Sequence, residues 1–232
     1  KATGKTAAPR DAKDPDWLAW KNFHRKAFET YLGGWVDALH AFKPGLQITS
    51  NWMYTTFAPK PVEAKLDYLS GDYSPSLSLD RARIEARYLA STGMPWDLMA
   101  WGFDKGKDQG WTIKPAVQLE QEAAVVLMQG GGFQIYHQPT RSGHIADAII
   151  DQEGQVADFC LERKEASFKS TTVPQVALLL SSESHWDRSE NVFSPWGGEY
   201  DSLEGALHAL LELHYSVDIL AEHQLTPRLH EF

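Results

Sequence analysis

At 232 residues, with 43% hydrophobic and 23% charged side chains, the chain has the size and composition of one large globular domain, or one and a half ordinary ones. A formal net charge of −9, with the 22 basic residues scattered along the chain, excludes a nucleic-acid partner, which needs a concentrated basic face. No run of about 18 apolar residues occurs, so no membrane-spanning helix and no membrane partner is expected; the lone Cys160 excludes an intrachain disulfide and a cysteine zinc cluster.

The opening "KATGKTAAPRD" has no apolar h-region and does not read as a signal peptide. Asp14-Pro15-Asp16 is a helix start, and the chain reads helical from Trp17 to Phe42, stopped by Lys43-Pro44-Gly45. "LQITSNW" (residues 46–52) predicts a short strand; a loop with Pro59 and Pro61 leads into a short helix; "LDYLSGDYSP" (66–75) predicts a second strand. "LDRARIEARYLASTG" predicts an amphipathic helix with Leu79, Ile84, Tyr88 and Leu89 for one face, stopped by Gly93. "MPWDLMAWGFD" (94–104) is the third strand. "KPAVQLEQEAAVVLMQGGG" is a helix with Pro115 in its first turn, "FQIYHQP" the fourth strand, and residues 156–163 a further helix. Helices alternating with strands imply parallel strands joined by crossovers.

The composition changes over "KEASFKSTTVPQ" (164–175), which divides the chain into residues 1–165 and residues 166–232. Beyond it come a buried-type strand "VALLLS", a polar aromatic loop over residues 182–200, a helix "SLEGALHALLELHY" and a strand "SVDILAEHQL". Four parallel strands suit a four-stranded open sheet or, equally well, the second half of an eight-stranded barrel, and two more suit the opening of a flavodoxin-like α/β unit. The expectation is a fragment cut at both ends.

Several motifs are weaker than they look. "TGKT" (residues 3–6) lacks the upstream glycine, strand and following helix of a phosphate loop. Gly130-Gly131-Gly132 runs from helix to strand, so it reads as a helix C-cap with a tight strand entry. The nine histidines show no i, i+4 pair around a Glu, and His137 and His144 flank a loop without an obvious third ligand, so no metal and no cofactor is expected. No G-x-S-x-G elbow occurs. The nine tryptophans fit core packing or sugar stacking.

What remains is a set of residues at the C-terminal ends of the four strands: Asn51 and Trp52, Asp72 and Tyr73, Trp101, Tyr136 and Gln138, with Arg141 just beyond. These ends form the active-site rim of a parallel α/β barrel. A turn would account for Asn51 or Asp72 alone; the whole set points to a shared sugar pocket.

"LQITSNWMY", "LDYLSGDYSP", "RIEARYLASTGMPWDLMAWGF" and "LEQEAAVVLMQGGGFQIYHQPTRSG" resemble the last four barrel strands of family 42 β-galactosidases and, more closely, of bacterial α-L-fucosidase-like proteins of the same architecture. "VPQVALLLSSESHWDRSENVF" through "YSVDILAEHQL" is similar to the start of their flavodoxin-like, trimerisation-type domain. The resemblance implies a retaining glycosidase with a carbohydrate substrate, and a homo-oligomer through the second domain as its other partner. Its two carboxyls would sit about 5 Å apart. In the galactosidases the acid/base lies on barrel strand four, outside this chain, and the nucleophile is a Glu in a segment similar to "PWDLMAWGF", where this sequence has Ala100. In the fucosidases the nucleophile is an Asp ending strand four, also outside the chain. A β-galactosidase-type activity is the alternative among enzymes, and a non-catalytic carbohydrate-binding protein the alternative from another class. Asp97 is expected to bond a barrel neighbour, Glu120 and Glu122 to lie on an outer helix, and Asp72 to be the best-placed acid. The loop with His185, Trp186, Phe193 and Trp196 is expected to pack over the barrel mouth or a neighbouring subunit and to bring Trp186 to the pocket.

Overall fold

Helix α1 (Trp17–Phe42) starts as the sequence predicts, with Asp14 Oδ1 accepting the Asp16 N–H at 2.9 Å. The computed structural model describes residue 4 and residues 7–106, 110–193 and 200–232; of "TGKT" only Gly4 falls within the described residues. Strands β1 (Leu69–Asp72), β2 (Trp96–Trp101) and β5 (Gly132–Tyr136) form a parallel sheet in the order β1-β2-β5. Between them run α2 (Ser78–Ala90) and α3 (Ala116–Met128), and α4 (Asp147–Ser167) follows β5. The boundary drawn at residue 165 falls in the last turn of α4.

The first expected strand is only partly formed. Residues 48–52 run parallel to β1, with a single bridge at Asn51–Ser70, and side chains take over ladder positions: Thr49 Oγ1 donates to the Tyr68 carbonyl at 2.7 Å, and Asp67 Oδ2 accepts the Ile48 N–H at 2.7 Å. Local side-chain bonds of this kind compete with the backbone ladder. The short helix expected after Pro61 is absent: residues 59–66 form no helix, and the Ala64 N–H is bonded by the Tyr54 hydroxyl at 3.1 Å. A hairpin that sequence reading missed, β3 (Phe103–Gly106) with β4 (Gly110–Ile113), follows β2 directly.

Register decides which side chains share a face, because paired residues of parallel strands project the same way. Leu69 pairs with Trp96, and Ala100 with Ile135; this face, with Leu98, is covered by Val36 of α1, Ala82, Ala86 and Leu89 of α2, Leu119, Ala123 and Val126 of α3, and Val156 of α4. The opposite face carries Ser70, Asp72, Asp97, Met99, Trp101, Gln134 and Tyr136. Helices thus lie over one face, and the other is polar and aromatic.

The glycine run is a helix cap. Gly130, at φ +82°, donates to the Leu127 carbonyl at 2.9 Å, and Gly131 donates to that of Val126 at 3.3 Å, which is the Schellman pattern. A Cβ on Gly131 would meet Trp96 Cη2 at 2.2 Å, so the absent side chain lets the indole lie across the strand entry.

The second unit contains the parallel pair β6 (Val176–Leu179) and β7 (Val217–Leu220), with α5 (Ser182–Arg188), α6 (Asp201–Glu212) and α7 (Glu222–Arg228). Two expectations change here. Part of the loop over residues 182–200 is helix α5, whose N-cap Ser181 accepts the Ser184 N–H; residues 194–199, with Trp196, lie outside the described residues. The strand read through "SVDILAEHQL" stops at Leu220, because Gln224 caps a helix by accepting the Ala221 N–H at 2.8 Å.

Helix α2 joins the two units. Ala82, Ala86 and Leu89 face the first core, whereas Ile84 and Tyr88 belong to the second, with Leu180, Leu207, Val217 and Ile219. The single face expected of Leu79, Ile84, Tyr88 and Leu89 is thus divided, Leu79 and Leu89 packing in the first core and Ile84 and Tyr88 in the second. Between the two faces lies Glu85, buried, accepting the Thr56 hydroxyl and, at 3.3 Å, the Thr56 N–H. Burial raises its pKa from an ordinary 4.5 to about 8, against the stabilising bonds from Thr56.

A second buried acid is fully paired. Glu122 of α3 accepts from Lys114 Nζ at 2.9 Å, Tyr73 Oη at 2.9 Å and Ser78 Oγ at 2.6 Å. Lys114 also donates its N–H to the Gly102 carbonyl at 3.0 Å. One carboxylate therefore ties together the exits of β1 and β4, the start of α2, and α3.

Both acids give tests. Glu122→Ala would leave the Lys114 ammonium buried and unpaired, and is expected to destabilise by ~3–5 kcal/mol. The double variant Glu122→Leu/Lys114→Met should lose markedly less in urea unfolding; equal losses would mean that charge burial is not what the pair manages. Glu85 works through protons. Its folded pKa lies above its unfolded value, so its contribution is full below pH 4.5 and lost as pH rises to about 8. Glu85→Gln keeps the shape without the ionisation. Its unfolding midpoint should match wild type near pH 4.5 and exceed it at pH 8; a difference constant across that window would refute a buried neutral acid.

Candidate functional site

The C-terminal end of β1 puts Asp72 on the polar face, 3% exposed. Both of its oxygens are engaged. Oδ1 accepts the indole N–H of Trp52, from the segment on one side, and Oδ2 accepts that of Trp101, from β2 on the other, at 2.9 Å. Burial raises the Asp72 pKa, and the two indole bonds oppose the rise. One carboxylate thus fixes the orientation of two flat rings at the strand ends.

Tyr136 is in register with Trp101, and the rings meet edge to face at 5.7 Å. Phe103 lies 5.4 Å from Trp101 and 5.6 Å from Tyr136, and Trp111 packs on it at 5.0 Å while remaining 54% exposed. Trp52, Asp72, Trp101, Tyr136, Phe103 and Trp111 therefore make a continuous aromatic surface around one acid. Phe103 and Trp111 escaped sequence reading. Their signal was the pair of short segments "FDKG" and "GWTI" on either side of the polar residues 107–109, hidden by reading the first of them as the tail of a strand.

The other expected site residues are dispersed. Asn51 is exposed beside Ser70 at the same rim, and Gln138 and Arg141 are exposed in the segment after β5. Tyr73 leaves the set: it is wholly buried on the helix side, donating to Glu122, because one step past Asp72 reverses the direction of the side chain. Ala100 is fully buried and also faces the helices. Asp97 sits one strand over from Asp72 and two residues deeper, accepting the Gln134 amide of the neighbouring strand at 2.6 Å.

Trp186 does not join this surface. Its ring lies 4.2 Å under the Arg25 guanidinium of α1 and near Phe193. Arg25 in turn donates to the Asn191 carbonyl at 3.0 Å, and Trp17 Nε1 to that of Glu190 at 3.2 Å, so α1 holds residues 189–192 by their carbonyls. Among the described residues, the His/carboxylate group with metal-ligand spacing is Asp80, Glu204 and His208, between α2 and α6. Arg83 lies 3.0 Å from Asp80 and Arg81 3.3 Å from Glu204, so these acids form an ion-pair network across the helix contact.

No family model matches the chain, and no curated protein matches it in sequence. Solved structures do. An α-L-fucosidase isoenzyme 2 from Paenibacillus thiaminolyticus aligns over 85% of this chain with a TM-score of 0.68 and 23% identity. The family 42 β-galactosidase Gan42B from G. stearothermophilus aligns over 89% at a TM-score of 0.63 and 15% identity in a catalytic mutant. A second structure of Gan42B gives 96%, 0.67 and 14%. The chain spans 30–38% of the length of these proteins. At such identities the likeness is one of fold: this chain shares its mixed α/β architecture and parallel sheets with glycoside hydrolases of the TIM-barrel class.

Proposed function

We propose that this chain is the second half of the catalytic barrel of an α-L-fucosidase-like retaining glycoside hydrolase, followed by the beginning of a flavodoxin-like domain. The observation that carries the reading is Asp72, which orients Trp52 and Trp101 at the C-terminal ends of parallel strands whose other face is covered by helices. Flat rings beside a hydrogen-bonding acid suit a pyranose, which offers apolar C–H faces and polar edges. The cluster of Trp101, Phe103 and Tyr136 also offers apolar contact to the methyl group of a deoxy sugar, which favours a fucoside over a galactoside.

Asp72 serves in binding. Burial raises the Asp72 pKa, but both oxygens are occupied by indole N–H groups, so neither is placed to hand a proton to a leaving group. Retaining hydrolysis requires two carboxyls about 5 Å apart; in this reading the nucleophile and the acid come from barrel strands outside the chain. The helix-facing Ala100 counts against a β-galactosidase-type nucleophile on β2. The same alanine favours a second reading, a carbohydrate-binding protein without catalysis.

L-fucose added to the protein is expected to change tryptophan emission saturably. Trp101→Ala should weaken that binding roughly tenfold, ~1.4 kcal/mol. Absence of saturable binding for both L-fucose and D-galactose would defeat the proposal. In an enzyme containing the whole barrel, Asp72→Asn should slow aryl and alkyl α-L-fucosides equally. A loss confined to the alkyl substrate would make Asp72 the acid, and binding without turnover of either would select the non-catalytic reading.

A further inference from the structure

We propose that the second α/β unit sets the geometry of the sugar site, by clamping residues 52–58 so that Trp52 is held against Asp72. This deepens the reading given above and rests on it for the identity of the ligand. Residues 52–58 begin with two non-glycine residues in the left-handed region, Trp52 at φ +71° and Tyr54 at φ +65°. A left-handed conformation is unfavourable for such side chains and persists only where surrounding contacts over-determine it.

Some of those contacts are local. The Trp52 N–H donates to the Ser70 carbonyl at 3.1 Å, and the Thr55 hydroxyl donates to the Trp52 carbonyl at 2.7 Å. The others reach in from far along the chain. The Tyr200 hydroxyl donates to the Thr56 carbonyl at 2.8 Å, across 144 residues of sequence, in a buried position. His185 of α5 stacks with Tyr200 at 6.4 Å between ring centres and so holds the ring that carries this hydroxyl. Glu85 of α2 holds the hydroxyl and N–H of the same Thr56. Met53 through Ala58 are all buried, so each backbone group released here would go without a water partner. The ring of Phe57 packs against Trp52 at 5.9 Å, which carries the position of the clamped carbonyls back to the indole. Tyr200 and His185 are positioning residues: they act on the site through residues 52–58.

The test uses the full chain labelled with 5-fluorotryptophan, the Trp52 fluorine resonance being assigned with Trp52→Phe. Tyr200→Phe removes one hydroxyl and should shift or broaden the Trp52 resonance while leaving that of Trp35, on the exposed side of α1, in place. Leu207→Ala, in the second core, is the control: it should lower the unfolding midpoint further yet leave the Trp52 resonance unmoved. L-fucose affinity should fall about fivefold in Tyr200→Phe, the loss of one hydrogen bond. An unmoved Trp52 resonance in Tyr200→Phe, or an equal shift in Leu207→Ala, would overturn the clamp.

Should Tyr200→Phe not fold, native-state hydrogen exchange of the unaltered chain decides. The amides of Thr55, Thr56 and Ala58 should open together with those of β6 and β7; opening well below the free energy of that pair would overturn the proposal. The fluorine and exchange arms contain no sugar. Failure of L-fucose to bind the unaltered protein therefore defeats the proposed function and leaves the clamp to be judged on these signals.

Discussion

Helix α2 packs against an apolar core on each of two sides, and much of the molecule follows from that constraint. Its alanines and Leu89 fill the core beneath the three-stranded sheet, and Ile84 and Tyr88 fill the core of the second unit. A helix caught between two apolar cores must also dispose of whatever polar groups its sequence puts between its faces. Glu85 falls there, and Thr56 receives it. The same residue then offers its carbonyl to Tyr200, so the seam between the units and the segment carrying Trp52 are stabilised by one set of bonds.

The buried acids show how differently one side chain can be accommodated. Glu122 keeps a cation and two hydroxyls around it and serves as a bracket for three rim segments. Glu85 is bonded by the Thr56 hydroxyl and N–H, and burial outweighs these bonds and the charge of Arg81, so its pKa rises to about 8. Asp72 takes neither course. It is bonded by two indoles, neutral donors that soften the penalty of burial without cancelling it. Its two bonds give it a role that neither other acid has, the orientation of rings on an open face.

That face exists because the sheet is covered unevenly. In an open α/β sheet with helices on both sides, the residues sharing a face with Asp72 and Trp101 would be apolar. Here the partner of Asp72 is Met99 and that of Trp101 is Tyr136, and Ser70, Asp97 and Gln134 share their face. A parallel sheet with helices on one face and polar and aromatic residues on the other suits the barrel proposed above and a sugar site at its strand ends.

A good part of this was legible in the sequence. The Asp-Pro-Asp start and Lys-Pro-Gly stop delimit α1, the glycine run caps α3, and alternating helix and strand patterns give a parallel sheet; all of these are local signals, written within a turn or two of the residues they govern. Trp52, Asp72, Trp101 and Tyr136 were recognisable as strand-end residues for the same reason. A shared pocket was expected of them; which members enter it was not legible, since that depends on register between strands about 30 residues apart in the chain, and one step along the chain past Asp72 sends Tyr73 to the other face. The hairpin of β3 and β4 and the helix α5 were hidden in stretches read as strand and loop. The division of α2 between two cores, the partial pairing of residues 48–52 and the placement of Trp186 under Arg25 belong to the tertiary structure alone. Each turns on which distant side chain reaches a backbone group or ring first, and sequence spacing carries no record of that competition.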